Sequence, residues 1–475
     1  MTRILVWNVS TFGILKIEDP STKRARGTSI THQEASEDRF ELIQRVFGAA
    51  MPDIIVIVEV ASGDSFPNAL ATPTDGILGA NRLLTFLRGD PAFRGGDWRL
   101  VPPLRIGRSN GSKPETVAVL YRGVSDGGVT RYFTGPNVWT GGYAGASIEP
   151  LAPATAAAQA QPYPGAGAGY PDLNAMLVPP GSQVREIPRG ALYNGRLDEN
   201  TVAARTDFRE DDRGVPSDNY LNFGPYRPPY MVTFTEVAGG NVSDLTLFGV
   251  HSPAVAGDPE VFLSYLASVY DVVSPLNLAE TRVVCGDFNV RLLDVNGNYT
   301  GAYDALTAHD YEYLLRPPAG GPPNPLDGYT TYFGTHLRQG QVTKASRFLW
   351  SDDANLSYYP GYRYFGSQRG ANLSSLDNIL VRPYDAANPA AFQMSVINPV
   401  VGSPLNRINP PTGNAPEGTI GLASQFRNPV GFPPAPPVAA PNYVHYNIAY
   451  NLTNWDNYEH IYSTSDHLAL FAVIP

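Results

Sequence analysis

The sequence predicts a layered α/β fold, in which helices pack on β-sheets. Eight short apolar runs bounded by turn-forming residues are predicted strands, at residues 4–7, 54–60, 116–121, 230–234, 245–250, 281–285, 378–381 and 468–474. Two segments between these runs, 36–53 and 257–273, repeat apolar residues at three- and four-residue spacing, as amphipathic helices do. Because helical and strand patterns alternate, we expect the helices to cover the sheets.

The two helical patterns each predict one buried face. The apolar face of the first consists of Phe40, Ile43, Val46, Phe47 and Ala50. The apolar face of the second consists of Phe262, Tyr265, Leu266, Val269 and Val273. Asp258 and Glu260 fall in the first turn of this second helix, where the helix dipole favours negative charge.

The composition predicts one domain with long irregular connections. The chain has 475 residues, of which 43% are apolar and only 16% are charged, and it contains 46 Gly and 44 Pro. Residues 135–200 are rich in Gly, Ala and Pro, and residues 384–445 are rich in Pro and Asn. Neither segment has the periodicity that builds a core. We expect residues 1–475 to form a single domain with these two segments as loop-rich insertions.

The charge balance and the N-terminus narrow the class of protein. A formal net charge of -10 argues against tight, non-specific wrapping of nucleic acid, which is driven by phosphate neutralisation. A metal-dependent hydrolase remains compatible, since a bound cation and one or two Arg can supply positive potential locally. The N-terminus lacks the pattern of a signal peptide, and no apolar stretch is as long as a membrane span. We therefore expect a soluble protein without an obligate protein partner, located in the cytoplasm unless it is exported by another route.

Polar side chains stand at the ends of most of the predicted strands. They are Asn8, Glu59, Glu115, His251, Asp287, Asn289, Asp377, Asp466 and His467. Taken singly, each has an ordinary structural explanation, such as a turn residue or a paired core carboxylate. Strand ends of layered α/β folds are also where sites are built, so the set as a whole indicates chemistry. The single cysteine, Cys285, alternates with apolar neighbours and is predicted to be a core residue.

This set of residues, in this order, resembles the endonuclease/exonuclease/phosphatase superfamily, and most closely its deoxyribonuclease I branch. The most specific motifs are "CGDFNV", "GVHSP" before an amphipathic helix, "SLDNILV" and the final "SDH". "ETVAVLYR" and "YRPPYMVTF" are similar to two further strands of that branch. The resemblance implies a four-layer α/β/β/α sandwich of two packed, mainly antiparallel sheets with flanking helices.

The resemblance also implies a metal site and a phosphate site. A hard divalent cation such as Mg2+ prefers oxygen ligands. Mn2+ or Ca2+ could occupy the same kind of site. Its implied ligands are Glu59, Asn8 and Asp466. Asp287 would orient or deprotonate the attacking water, and Asn289 would donate to a phosphoryl oxygen. Arg227 would contact the scissile phosphate through its planar fork.

Two histidines complete the implied site. His251 and His467 would form the acid–base pair that flanks the phosphate, since imidazole titrates close to neutrality. The family pairing assigns Glu115 to His251 and Asp377 to His467 as orienting carboxylates. Thr330 and Thr331 fall where family members carry a threonine turn near the substrate.

The resemblance leaves the substrate open. The expected activity is hydrolysis of DNA phosphodiester bonds by an endonuclease. A sphingomyelinase-like phospholipid hydrolase or an inositol-phosphate phosphatase is the alternative, and a non-catalytic binding protein on the same fold is another. Asn378 stands where inositol phosphatases usually carry Arg, and Val58 stands where the family usually carries Gln. Retention of all the matched polar positions favours an enzyme.

Overall fold

A computed structural model of the chain describes residues 1–24, 30–62, 75–93, 96–101, 105–107, 115–135, 175–178, 183–184, 226–227, 229–255, 257–292, 299–316, 331–333, 373–384, 392–398, 403–404, 421–422, 455–456, 461 and 463–474. The strands of this part are β1 (Thr2–Phe12), β2 (Ile54–Ala61), β3 (Trp98–Val101), β4 (Arg105–Gly107), β5 (Glu115–Arg122), β6 (Thr130–Gly135), β7 (Leu177–Val178), β8 (Gln183–Val184), β9 (Tyr230–Ala238), β10 (Asn241–His251), β11 (Glu280–Asp287), β12 (Glu312–Tyr313), β13 (Tyr332–Phe333), β14 (Leu373–Ser374), β15 (Asp377–Arg382), β16 (Gln393–Asn398), β17 (Ser403–Pro404), β18 (Gly421–Leu422), β19 (Trp455–Asp456) and β20 (Leu470–Ile474). Its helices are α1 (Ile14–Ile17), α2 (His32–Ala50), α3 (Asp75–Gly89), α4 (Asp258–Leu266), α5 (Tyr270–Val273) and α6 (Asp304–Thr307).

Two eight-stranded sheets carry the fold. The first has the order β17-β16-β20-β1-β2-β5-β3, with β4 beside β5. The second has the order β12-β15-β11-β10-β7-β8, with β9 also paired to β10 and β6 paired to β9. The pairs β1–β2, β10–β11 and β10–β7 are parallel, whereas the remaining pairs of these sheets are antiparallel. The predicted pair of mainly antiparallel sheets is therefore confirmed.

The two sheets pack face to face through a shared apolar core. A Cβ added to Gly249 of β10 would lie 3.0 Å from the Val117 side chain of β5, so the β10 backbone packs directly against this side chain of the opposite sheet. The rings of Tyr121 and Phe234, from opposite sheets, have centroids 4.8 Å apart. Helices α2 and α3 contact strands of the first sheet, and Arg282 of β11 donates to main-chain carbonyls at and after α5. This layered α/β sandwich is the predicted fold class.

The helices begin and end differently from the prediction. Helix α2 starts at His32, four residues before the predicted start, because Thr31 forms a capping box with Glu34. The predicted second helix is divided into α4 and α5. Helix α3 was not predicted, although its buried apolar residues have helical spacing; they include Ile77, Ala80, Leu83, Leu84 and Leu87.

The described parts of the two predicted insertions add strands to the sheets. Strand β16 lies within residues 384–445 but pairs with β20 at four positions. The segment predicted to be loop-rich thus contains a strand at 393–398, "QMSVIN", which lies between β17 and β20 in the first sheet. Strands β7 and β8 fall within residues 135–200 and join the second sheet. The remainder of both segments, and the single-domain prediction for 1–475, lie outside what the described residues test.

Cys285 lies in β11 and is fully buried, as predicted. Burial raises the pKa of its thiol to about 12, so the group stays protonated and unreactive at neutral pH. In the described part of the chain, no helix combines the length and apolar character needed to cross a membrane.

A buried ionic cluster joins the two sheets at the start of β1. Arg131 of β6 donates to Glu236 of β9 at 2.7 Å, to the carbonyl oxygen of Arg122 at 2.9 Å and to the Thr2 hydroxyl at 3.2 Å. The Thr2 hydroxyl in turn donates to Glu236 at 2.8 Å. Because Thr2 and Arg122 belong to the first sheet, this cluster fixes one sheet against the other.

Replacing Arg131 with alanine is expected to lower the free energy of unfolding by about 3 kcal/mol, because the Glu236 carboxylate would lose its buried cation. Chemical denaturation followed by circular dichroism measures the change. Arg45→Ala, at an exposed ion pair on α2, serves as the control and should change stability by less than about 1 kcal/mol. Equal effects of the two substitutions would contradict a stabilising role for the cluster.

Candidate active site

Three predicted site residues lie side by side at the ends of neighbouring strands. In the ladder of the second sheet, His251 of β10 is paired with Asp287 of β11. On the other side of β11, Asp287 is paired with Asp377 of β15. Gly286 has φ +140°, and a Cβ there would lie 2.1 Å from the Val250 carbonyl oxygen, which explains glycine before Asp287. Strand register alone therefore brings these three residues together.

The site residues of the first sheet lie near the ends of β1 and β2, where the strand pairing is irregular. The pairing of β1 with β2 shifts register between Asn8 and Phe12, and the pairing of β2 with β5 shifts between Ile57 and Val60. Ser10, Thr11 and Glu59 have positive φ in this region. Such bulges bend strands and redirect side chains, so Glu59 does not follow the regular alternation of β2.

His251 is oriented by Glu115, as the resemblance implies. The imidazole Nδ1 lies 2.7 Å from Glu115 Oε2. Burial opposes ionisation of Glu115, but attraction to His251 and Arg227 outweighs it and lowers the pKa of this carboxyl. Burial and Arg227 both lower the pKa of His251, yet Glu115 and Asp287 outweigh them, so the pKa of this imidazole is raised. The pair therefore favours a charged imidazolium.

Arg227 is buried beside this pair. Its guanidinium forms an ion pair with Glu115, and its Nε donates to the His251 carbonyl oxygen at 3.2 Å. A second nitrogen lies 3.5 Å from the Ser252 carbonyl oxygen. Glu115 and the main chain after β10 thus hold the side chain in place, and its predicted contact with a phosphate stays a prediction.

His467 is oriented by Asp377 in the same way. The imidazole Nδ1 lies 2.7 Å from Asp377 Oδ2, with both side chains buried. Burial opposes protonation of His467, but Asp377, Asp287 and Asp466 outweigh it and raise the pKa of the imidazole to about 10. Burial raises the pKa of Asp377 to about 6, with His467 opposing the shift. At neutral pH this pair is an imidazolium beside a carboxylate.

Asp287 lies between the two histidines. Its Oδ2 is 3.7 Å from His251 Nε2 and 3.6 Å from His467 Nε2. These distances exceed ordinary hydrogen bonds and leave both imidazole Nε2 atoms directed toward one small region. Asn8 Nδ2 donates to Asp287 Oδ2 at 3.1 Å, and the Asn289 main-chain N–H donates to Oδ1 at 2.9 Å. The carboxylate is thus fixed at the centre of both pairs.

Asn289 lies at the rim of this region. Its φ of +48° is a left-handed conformation that Asn tolerates better than most residues. Its side-chain Nδ2 donates to the Ser252 carbonyl oxygen at 3.0 Å, which ties the segment after β11 to the segment after β10. The predicted bond from Asn289 to a phosphoryl oxygen is a prediction that this contact does not test.

Glu59 and Asp466 lie close to an ammonium group that sequence reasoning missed. Lys16 Nζ donates to the Val9 carbonyl oxygen at 2.7 Å and also bonds the Ser10 carbonyl oxygen. Desolvation lowers the pKa of Lys16 to about 7, with Glu59 and Asp466 opposing that shift. Helix α1 is too short to give a periodic signal, so only the tertiary fold reveals this contact.

The donor set fits a hard divalent cation. Among the described residues, five carboxylates lie in this region, those of Glu59, Glu115, Asp287, Asp377 and Asp466, together with the basic side chains of Lys16 and Arg227. Oxygen atoms of Asp287 and Asp377 and a nitrogen of His467 lie within 4.8 Å of one another. His467 and Asp377 are already bonded to each other, however, so these atoms form a poor pocket for an ion. Glu59, Asp466 and Asn8 stay the predicted ligands of a cation, and Asn8 Oδ1 accepts a hydrogen bond from the Ser10 N–H at 2.9 Å.

Several further residues support the site and were missed or only partly predicted. Trp7 Nε1 donates to the His467 carbonyl oxygen at 2.9 Å, and Ser465 Oγ donates to the Asn8 carbonyl oxygen at 2.6 Å. Thr331 Oγ1 accepts from the main-chain N–H of Asp377 at 3.1 Å. The predicted role of Thr331 near the substrate is not tested by this contact, and Thr330 lies outside the described residues.

Together the fold and the site define an α/β sandwich whose strand ends carry two histidine–carboxylate pairs around a central aspartate. No family model matches the sequence, and no curated protein matches it. Among solved structures, the chain is similar to an endonuclease/exonuclease/phosphatase family protein from Leptotrichia buccalis, with 12% identity, 100% of both chains covered and a TM-score of 0.35.

Two other solved structures are similar to the chain. TDP2 from D. rerio, complexed with a single-strand DNA product, is 9% identical, with 99% of this chain and 97% of that chain covered and a TM-score of 0.35. The beta toxin of Staphylococcus aureus is 9% identical, with 100% of both chains covered and a TM-score of 0.36. Because these superpositions are loose, the chemistry of the site rests on the geometry of this chain alone.

Proposed function

We propose that this protein is a divalent-metal-dependent phosphodiesterase. One observation carries the proposal: the Asp287 carboxylate lies within 3.7 Å of the Nε2 atoms of both His251 and His467, and each histidine is held by its own buried carboxylate. Hydrolysis of a phosphodiester requires a group that orients water, donors to the phosphoryl oxygens and a proton for the leaving oxygen. The arrangement supports all three requirements within one small region.

Each residue has a distinct task in this mechanism. Asp287 accepts a hydrogen bond from the attacking water and receives its proton as the new bond to phosphorus forms. His467, protonated beside Asp377, donates to an oxygen of the phosphate and stabilises the charge that develops there. His251 lies on the other side of Asp287 and protonates the leaving oxygen as its bond to phosphorus breaks.

The remaining polar groups prepare the substrate. Asn289 donates to a phosphoryl oxygen once its amide turns from the Ser252 carbonyl. Glu59, Asp466 and Asn8 would hold a divalent cation, which would supply Lewis-acid polarisation of a phosphoryl oxygen. Arg227 acts through Glu115, whose carboxylate it holds against His251.

DNA is the substrate that we propose first, because the motifs most closely resemble the deoxyribonuclease I branch. The test is to incubate the pure protein separately with supercoiled plasmid, sphingomyelin and an inositol polyphosphate, each with Mg2+ or with chelator. Nicking of the plasmid that chelator abolishes is the expected result. Turnover of sphingomyelin or of the inositol polyphosphate without nicking would mean that this compound, and not DNA, is the substrate. Absence of any turnover with metal present would overturn the enzymatic proposal.

Removal of one predicted metal ligand should weaken metal binding. Glu59→Gln is expected to raise the Mg2+ concentration for half-maximal activity about tenfold or more, the change that corresponds to about 1.4 kcal/mol of lost interaction. Calorimetric titration with Mn2+ gives the same information without turnover. Glu41→Gln, on the exposed face of α2, is the matched control. Equal metal affinity in both variants would exclude Glu59 as a ligand.

A further inference from the structure

The Lys16 ammonium binds two consecutive main-chain carbonyls of β1. Its Nζ donates to the Val9 carbonyl oxygen at 2.7 Å and to the Ser10 carbonyl oxygen. The ladder between β1 and β2 ends at Asn8 and resumes at Phe12, so both carbonyls belong to the gap between the two paired stretches. Lys16 therefore supplies hydrogen-bond donors to a part of β1 that the regular pairing with β2 leaves out.

Residues 9–11, which we call the β1 bulge, are strained and are bonded to two predicted cation ligands. Ser10 and Thr11 have φ of 27° and 52°, a conformation that is costly for residues with a side chain unless surrounding contacts hold it. The Ser10 N–H donates to Asn8 Oδ1 at 2.9 Å, and Thr11 Oγ1 donates to Glu59 Oε1 at 3.0 Å. The position of the β1 bulge thus affects where both ligands lie.

Helix α1, which carries Lys16, is itself fixed by α2 and α3. Arg39 Nε of α2 donates to the Lys16 carbonyl oxygen at 2.7 Å. Gly13, directly before α1, lies so close to the start of α3 that an added Cβ would collide with the Asp75 carboxylate. The ammonium therefore reaches the β1 bulge from a backbone that two longer helices hold in place.

Lys16 has two opposing effects on a cation at these ligands. Its positive charge lies near Glu59 and Asp466 and would repel a divalent cation bound there. Its hydrogen bonds hold the β1 bulge, which favours the cation because less ordering has to accompany binding. The hydrogen bonds are direct contacts, whereas the charge is one among five nearby carboxylates, so we expect the second effect to dominate.

We propose that Lys16 is a positioning residue of the candidate active site, whose ammonium holds the β1 bulge so that Asn8 and Glu59 keep the positions from which they would bind a divalent cation. The inference rests on the proposed function, in which these two residues are ligands of that cation. Lys16 acts through the main chain and contacts neither the cation nor the substrate. Groups that orient metal ligands in this way typically contribute about ten- to a hundredfold to metal affinity.

The test uses the full chain and three variants. Lys16→Met keeps much of the side-chain length but removes the donors, and Lys16→Arg keeps N–H donors on a larger group. Lys23→Met, the control, makes the same substitution at an exposed lysine. Mn2+ affinity is measured by calorimetric titration without substrate. Hydrogen exchange of the main-chain amides of residues 8–12 is measured by mass spectrometry on the metal-free protein, and thermal melting verifies folding.

Lys16→Met is expected to bind Mn2+ about tenfold or more weakly than the wild-type protein. Its amides at residues 8–12 should exchange faster while the rest of the chain exchanges as before, because only the β1 bulge loses its donors. A substitution that merely loosens the fold would raise exchange throughout. Lys23→Met should match the wild-type protein in both measurements. Lys16→Arg should lie between the two, and it carries the test if Lys16→Met does not fold.

Two results would overturn the role of Lys16. One is Mn2+ affinity in Lys16→Met that equals or exceeds that of the wild-type protein, since repulsion by the ammonium would then be its main effect. The other is unchanged exchange at residues 8–12. Chelator-sensitive cleavage by the wild-type protein would leave the proposed function standing in either case. A wild-type protein that binds no Mn2+ would refute the proposed function, whereas faster exchange confined to residues 8–12 in Lys16→Met would still support Lys16 as the residue that holds the β1 bulge.

Discussion

Replacing Asp287 with asparagine is expected to lower kcat by about a thousandfold or more, the upper part of the range for loss of an acid–base group. The carboxylate is buried, held by Asn8 and Asn289, and lies between both histidines. Asparagine has nearly the same shape but cannot accept a proton from water. The loss should appear in kcat rather than in KM, because the group acts in the transition state. Steady-state cleavage of plasmid or of a model phosphodiester measures it.

The matched control for this substitution is Asp310→Asn. The Asp310 side chain is 85% exposed and pairs with Arg382, at the opposite end of β15 from Asp377, so its replacement should leave kcat unchanged. Near-normal turnover in Asp287→Asn, with folding verified by thermal melting, would refute the assignment of Asp287 as the group that activates water.

Replacing Asp377 with asparagine should produce the second-largest effect and a distinctive pH profile. Asp377 is the first of the carboxylates that raise the pKa of His467 to about 10, so its loss lowers that pKa. The imidazolium exists below the pKa and disappears as pH rises through it. The alkaline limb of the rate profile should therefore move to lower pH by more than about one unit, and kcat at neutral pH should fall about a hundredfold.

The pH profile distinguishes an orienting role from a merely structural one. A substitution that only loosens the fold lowers the rate at every pH without moving the alkaline limb. The exposed carboxylate variant Asp310→Asn should leave both the rate and the limb in place. A profile of Asp377→Asn that is lowered but not shifted would argue against control of His467 by Asp377.

The sequence alone predicts the grouping of the site residues whose positions depend on strand register. His251, Asp287 and Asp377 end or begin apolar runs, and the hydrogen-bond ladder sets them side by side. Their grouping follows from the period of the strands, which the sequence pattern contains. The family resemblance implies the pairing of each histidine with its carboxylate, and the two pairs lie at 2.7 Å.

Features that depend on tertiary contact were not predictable in the same way. Lys16 lies in a helix of four residues, and its partners come from β1, β2 and the segment before β20. Arg227 stands in a Pro-rich segment that suggests surface, yet it is buried against Glu115. The positive φ of Glu59 arises from two register shifts in neighbouring strand pairs. Helix α3 differs, because the helical spacing of its apolar residues is already present in the sequence.

The ladder that sets His251 beside Asp287 and Asp287 beside Asp377 has a consequence for how this chain can change. Removing one residue from the middle of β10 or β11 would turn every following side chain to the opposite face of the sheet and scatter the trio. Insertions and deletions therefore preserve the site only where they fall in the connections between strands. The two long connecting segments leave the trio in place for that reason. We expect evolution of this protein to proceed by substitution within its strands and by changes of length outside them.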